Sequence, residues 1–326
     1  MKTLKTLKFA AVAALALTFT SCNNDDEVDG SGQASVEVTD APIDNAEVQG
    51  VFVTITDIKI DGQSAASFDG KTTVDLLALQ DGRTELLASE ELNAGTYNNI
   101  TFTLDLASDA SGNAPGSYVM TNSGKQALEM EGQSQVDLVA SGTYNVLANS
   151  SNALVVDFDL RKMIKEETSG SDDYTFVTRA EANAALRLVE KQASGSIVGQ
   201  VDMDSYDDAD KVIVYAYQRG TFNRDTETTG QGSSNIMFAN AVSSTAIAEG
   251  AVSDRFELNF IEAGEYELVY AAYTENTLTG ELEFESFIET FRQEAPIIDK
   301  DRILSEDIAR AKAFIADLEI DSELIF

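Results

Sequence analysis

The stretch "GTYNNITFTLDL", Gly95–Leu106, decides the fold. Ile100, Phe102, Leu104 and Leu106 alternate with Thr101, Thr103 and Asp105. A period of two places an apolar row and a polar row on opposite faces of a strand, the pattern of a sheet with one wet face. Upstream, "VFVTITDIKI" (Val51–Ile60) sets Val51, Val53 and Ile55 on one face, while Ile58 and Ile60 are slipped by one. A β-bulge near Thr56 and Asp57 absorbs such a slip. "TTVDLLAL" supplies a short strand before the "QDGRT" turn. Downstream, "APGSYVM", "QSQVDLVAS" and "GTYNVLANS" continue the meander. "NALVVDFDLRKMI" then turns Leu154, Val156 and Phe158 inward and Val155, Asp157 and Asp159 to the opposite face. Asp, Asn and Gly turns separate these runs at the spacing of a β-sandwich. "RKMIKEETSGSDD" reads as a helical turn and a solvated loop. "AEANAALRLVEKQ" reads as a strand at its end, Ala185 to Val189, with a fully helical reading left open.

The ordered runs "ASVEVTDAPID", "VFVTITDIKI", "LNAGTYNNITFTLD" and "VVDFDLRKMI" resemble domain-of-unknown-function family 4382, over about residues 34–190. The resemblance implies a β-rich extracytoplasmic domain of the kind carried by exported bacterial proteins, often lipoproteins. It implies no activity and assigns no catalytic residue.

A second domain begins at "ASGSIVGQVDMD". In "DKVIVYAYQRG", Val212, Val214 and Ala216 alternate with Ile213, Tyr215 and Tyr217, so both faces are apolar and the strand is central or covered. In "DRFELNFIEAGEYELVYAAYTE", Phe256, Leu258 and Phe260 point inward, "EAGE" turns, and Tyr266, Leu268 and Tyr270 return on the core side. "GELEFESFIETF" offers Leu282, Phe284 and Ile288 to the core. This order resembles small prealbumin-like accessory sandwiches, in which a Gly–Glu–Tyr element closes the core. Gly264 and Tyr266 hold those places here. The roles implied are spacing, adhesion or carbohydrate contact.

The chain opens "MKTLKTLKFAAVAALALTFTSC". Lys2, Lys5 and Lys8 precede an uncharged apolar run, Phe9 to Phe19, too short to span a bilayer but suited to an export signal. Thr20, Ser21 and Cys22 resemble the end of a bacterial lipoprotein signal, with Phe19 where leucine is commoner. Cys22 is the only cysteine, and lipidation accounts for an exported thiol with no partner. The other reading is a periplasmic protein with an incidental thiol. "CNNDDEVDGSGQ" is a flexible acidic tether and resembles the export tag of surface lipoproteins of the Bacteroidetes type. The expected localisation is the outer membrane, lipid-anchored and exposed at the cell surface, with a periplasmic-facing anchor as the alternative. At the other end, "DKDRILSEDIARAKAFIADLEIDSELIF" reads as a short amphipathic helix with a stripe of Leu304, Ile308, Ala311, Ile315 and Leu318.

The expected architecture is mainly β: two β-sandwich domains in tandem with a short C-terminal helix. Its segments are a signal peptide (1–21), a tether (22–33), sandwiches at 34–192 and 193–292, and a helix and tail at 293–326. The 326 residues include 22 basic and 56 acidic ones, for a net charge of −34. Removing residues 1–21 takes three lysines and leaves 19 basic against 56 acidic, about −37. Such a surface disfavours nucleic acid and anionic lipid headgroups. A saline habitat explains the acidity as well as a function does. No histidine is present, which excludes Ser–His–Asp and Cys–His catalysis and the usual zinc sites.

Candidate sites are few. Cys22 is the lipidation site. Asp202, Asp204, Asp207, Asp208 and Asp210 form the densest acid run, a candidate calcium loop without the glycine and terminal glutamate of the helix–loop–helix type. Asp40, Asp57, Asp157 and Asp159 recur beside the hydrophobic runs, and two or three of them converging with backbone carbonyls form a second calcium candidate, with Asp157 and Asp159 about 6–7 Å apart on one side of a strand. A solvated loop or outward acids explain both clusters without a ligand. Tyr217 and Phe222, at the start of the long polar section Gly220 to Thr245, are candidate sugar-stacking residues. The favoured function is a non-enzymatic surface lipoprotein that binds a glycan or surface protein, with calcium as the one candidate cofactor. The alternative is a structural or accessory subunit of a fimbria or uptake complex. A carboxylate-based glycoside hydrolase is a remote third.

Overall fold

In a computed structural model, the described residues are 30–41, 45, 47–166, 174–201, 209–247, 254–277, 280–288 and 293–295. Cys22, Asp202, Asp204, Asp207, Asp208 and the expected C-terminal helix lie outside them.

The chain is mainly β. The first unit runs β1 (Ser31–Ala41), β2 (Gly50–Ile60), β3 (Gln63–Ser64), β4 (Thr72–Asp75), β5 (Glu85–Asn93), β6 (Gly95–Asp105), β7 (Tyr118–Thr121), β8 (Gly124–Ala127), β9 (Gln135–Val146), β10 (Ser151–Asp159), β11 (Ile164–Glu166), β12 (Tyr174–Phe176) and β13 (Leu186–Glu190). Among the described residues, two short α-helices interrupt it, α1 (Leu160–Met163) and α2 (Arg179–Ala184). Strand order is β8-β7-β2-β6-β9 in one sheet, where β3 and β4 also pair with β2, and β13-β10-β1-β5 in another. Their facing rows share one core: Val53, Ile55, Phe102 and Leu104 from the first sheet, Val36, Val38, Val156 and Phe158 from the second. Phe102 and Phe158 meet edge-on across it, with centroids 5.4 Å apart.

The slip in β2 is a bulge between Ile55 and Asp57, where the pairing with β6 shifts register. β1 starts at Ser31, earlier than the expected tether end, because Ser31 to Gln33 pair with Asn93 to Glu91 of β5. The ambiguous segment near residue 185 is both helix and strand. Thr178 caps α2 in a capping box with Glu181, and the chain extends into β13 after Ala185.

The second unit contains β14 (Ser194–Val201), β15 (Lys211–Gln218), α3 (Arg224–Glu227), β16 (Ser243–Ala246), β17 (Asp254–Glu262), β18 (Tyr266–Glu275), β19 (Leu282–Phe287) and β20 (Gln293–Ala295). β15 has core on both sides, as its two apolar rows require. Val212, Val214 and Ala216 join one cluster, and Ile213, Tyr215 and Tyr217 another.

One expectation for this unit, the inward-pointing Phe260, is corrected. The turn at Gly264 returns Tyr266, Leu268 and Tyr270 to the core as expected, on a strand of a different sheet. β17 pairs with β14, whereas β18 joins β15, β19 and β20, so the turn carries the chain between two sheets. Phe256 and Leu258 of one face Leu268 and Tyr270 of the other in a single cluster. Phe260 is not a core residue. Its φ of 54° breaks the alternation, and Ile261 takes the fully buried place.

Candidate functional site

Every residue from Leu154 to Asp159 is buried. An outward, solvated row containing Asp157 and Asp159 is therefore corrected: the second unit covers that face of β10. Asp157 is 5 % and Asp159 6 % exposed. Buried carboxylates need partners, and cationic side chains beside them supply these.

Arg187 of β13 lies directly opposite Asp157 in the β10 register. Its Nη2 donates to Asp157 Oδ2 at 2.7 Å, and its Nη1 donates to the Phe260 carbonyl of β17. At the turn after β10, Lys162 Nζ is 2.9 Å from Asp159 Oδ2 and donates to the Ala241 carbonyl at 2.6 Å. Arg161 Nη1 donates to the Met237 carbonyl at 2.6 Å, and Nη2 to the Phe238 carbonyl at 3.2 Å. The Arg161 guanidinium also lies 5.0 Å from the centre of the Tyr215 ring. Arg161, Lys162 and Arg187 each thus meet a carboxylate on their own side and a main-chain carbonyl on the other. Burial pushes the Asp159 carboxyl up, but Lys162 and Arg161 together outweigh it and hold the pKa below the usual range.

Glu181 makes a further link. Its carboxylate accepts from the Ser233 amide at 2.7 Å and the Ser234 hydroxyl at 2.6 Å, both from the second unit, besides capping α2. Partial desolvation raises its pKa, while the bonds from Ser234 and Thr178 win and bring it down to about 2.

Asp40 of β1 completes the acid group. It is 8 % exposed, and neither oxygen makes a hydrogen bond of ordinary geometry. Burial, then the charges of Asp157 and Asp159, push its carboxyl well above the usual range. The nearby Leu160 amide and Gln80 side chain offset only part of this. Asp40 and Asp157 line a cavity of about 50 Å³ between the units, whose far wall includes Ser244, Glu257 and Asn259. A raised carboxyl beside an ion-paired one is an arrangement used in acid catalysis. This cavity has room for an ion or a few waters and cannot admit a sugar ring.

The structure brings few of the other candidates together. Tyr217 is fully buried and donates its hydroxyl to Glu227 at 2.9 Å. Sugar stacking on Tyr217 is therefore corrected: its ring packs in the core, 5.0 Å from Phe222, which itself packs edge-on against Phe287. Of the acid run at 202–210, Asp210 is described, and it accepts from the Glu275 amide at 2.7 Å. Asp157 and Asp159 have different partners, Arg187 for one and Lys162 for the other. Among the described residues, no three His, Cys, Asp or Glu side chains gather as a metal-holding group.

The section Gly220 to Thr245 is a structured cover. It contributes α3, the buried Glu227 and the fully buried Phe238, which stacks on Tyr215 at 4.3 Å. Sequence reasoning missed Arg161, Lys162, Arg187 and Phe238. The one available signal was the cation pair Arg161 and Lys162, one residue beyond "VVDFD", the outward row that the cations would neutralise.

Residues 31–177 match the family described as Domain of unknown function (DUF4382). The match stops before α2 and β13, although β13 completes the four-stranded sheet. No curated protein matches the chain. Among solved structures, the fimbrial anchor protein Mfa2 from Porphyromonas gingivalis is 14% identical. The alignment covers 78% of this chain and 82% of that one, with a TM-score of 0.18. A candidate cell-adhesion protein from Bacteroides eggerthii is 10% identical over 78% of each chain, with a TM-score of 0.15. Neither overlays this fold closely enough to bear on function.

Proposed function

We propose that this chain is a non-enzymatic, lipid-anchored cell-surface protein that serves as a rigid structural or accessory subunit of a surface assembly. The observation that carries the reading is the junction of the two units. Arg161, Lys162, Arg187 and Glu181 bond across it to main-chain or hydroxyl groups while buried or half-buried. A buried polar junction of this kind fixes one relative placement, because any other leaves charges unpaired. Fixed placement suits a part that transmits position. The edge position of β5 in its sheet leaves a strand for docking a partner. Cys22 supplies the lipid attachment in this reading, and the outer face of the outer membrane is its place.

The test is crosslinking on intact cells, followed by purification of the chain. A constant protein partner, lost together with surface attachment in Cys22→Ser, is the expected result. Recovery of monomer alone would end the structural-subunit reading.

A groove between the units favours a second reading, that of a ligand-binding adhesin. It has a volume of about 270 Å³ and includes Tyr174, Tyr273 and Phe284 in its wall. Such dimensions approach those of small-ligand sites. Saturable binding on a glycan array, with no crosslinked partner on cells, would favour this adhesin.

A further inference from the structure

Four oxygens at the small cavity between the units make no hydrogen bond of ordinary geometry: both carboxylate oxygens of Asp40, Oδ1 of Asp157 and Oγ of Ser244. Asp40, Asp157 and Ser244 are 8 %, 5 % and 4 % exposed, so bulk water does not satisfy them. All three line the same cavity. Leaving buried carboxylate oxygens bare is expensive, and a native fold relieves it by a proton, a water or a cation. The donor set decides among these. It is made wholly of oxygen, combines two carboxylates with a hydroxyl, and has Asp81 and Glu257 in the surrounding wall. The Nη atoms of Arg187 go to Asp157 Oδ2 and to the Asn259 and Phe260 carbonyls, and Asp157 Oδ1 receives no donor. Hard cations take this kind of ligand. The volume, about 50 Å³, exceeds what one water-sized sphere needs.

We propose that this cavity binds a single hard metal cation of the calcium type, held by Asp40, Asp157 and Ser244, and that the cation ties β1 and β10 of the first unit to β16 of the second. With two carboxylates in direct reach, water must complete the coordination shell. The affinity is then low, with a dissociation constant of roughly 10⁻⁴–10⁻³ M, as in extracellular calcium modules. The site differs from the pairing of Asp157 with Asp159 suggested by their spacing, since Asp159 is held by Lys162 and Arg161.

The test is thermal unfolding of the full chain, stripped with chelator and then titrated with calcium chloride. Sodium chloride at matched ionic strength controls for screening of the acidic surface. The expected result is a saturable rise in Tm of several degrees with calcium beyond that with sodium. Asp40→Asn abolishes this rise, and Ser244→Ala raises the half-effective calcium concentration about tenfold or more. Asp69→Asn, at an exposed acid, leaves it intact. An equal rise in sodium chloride overturns the proposal. So does a calcium-specific rise that survives in Ser244→Ala with unchanged half-effect, which would place the ion elsewhere, for instance at Asp202 to Asp210. Ser244→Ala changes one hydroxyl and no charge, so it decides the matter even if Asp40→Asn fails to fold.

Discussion

Arg187 and Asp157 sit directly opposite each other on antiparallel strands and join at 2.7 Å, and the same guanidinium reaches the Phe260 carbonyl of the second unit. One side chain therefore belongs to a sheet and to a junction at once. Removing it strands Asp157 in a buried site. Arg187→Ala is expected to cost about 3–5 kcal/mol in urea unfolding. Arg187→Ala combined with Asp157→Ala loses less than the two single changes added together, and strict additivity would show that the pair is not coupled.

Asp40 gives the opposite sign. Its folded pKa is raised, so its contribution to stability is complete at low pH and is lost as pH rises through the folded value. In chelator, Asp40→Asn is expected to be more stable than the parent at pH 7.5, with the difference shrinking towards pH 4. Unfolding curves at several pH values check this. A variant that is less stable throughout would mean that the charged carboxylate is itself required.

Glu181 has a folded pKa of about 2, depressed from 4.5. Its contribution is present above its unfolded pKa and is lost as pH falls towards 2. Glu181→Ala should cost about 1.5–3 kcal/mol at neutral pH, the range for hydrogen bonds to a charged group. The gap from the parent should close in acid. A gap independent of pH would assign the loss to packing.

Phe238 is 1 % exposed and stacks on Tyr215 while meeting Phe284 edge-on at 5.4 Å. Phe238→Ala is expected to cost about 3–5 kcal/mol. Because the Phe238 and Met237 carbonyls receive Arg161, the same change should loosen the junction. Hydrogen exchange would report this as faster exchange in α1 as well as in residues 220–245.

Strands with a period of two were legible, and the inward row Ile100, Phe102 and Leu104 of β6 is an example, although Thr101 and Thr103 of the expected wet face are buried as well. The bulge in β2 was legible too, because a one-residue slip flips a whole apolar row. β15 announced two covered faces through its two apolar rows. What failed was the partner of each face. Asp157 and Asp159 look solvated in a local pattern, since polarity usually marks a wet face. Their burial depends on cations at 161, 162 and 187 and on carbonyls some 70–80 residues further along the chain, a distance no periodicity spans. Phe260 failed for a different reason: a single positive φ at a non-glycine residue shifts the alternation without any mark in composition. The small cavity was invisible for the same reason as the junction, since Ser244 becomes notable only once Asp40 and Asp157 stand across from it.

β1 follows the acids Asp25, Asp26, Glu27 and Asp29 in sequence and lies between two neighbours, parallel to β10 and antiparallel to β5. Its ladder to β10 runs from Gln33 to Ala41, and its ladder to β5 from Ser31 to Val38. Inter-strand bonds lie across the strand direction. Tension directed along β1 from its N-terminal end therefore loads both ladders in shear. Under the proposed N-terminal anchoring, drag enters the fold through its first strand, and that strand sits inside the sheet, not on its rim.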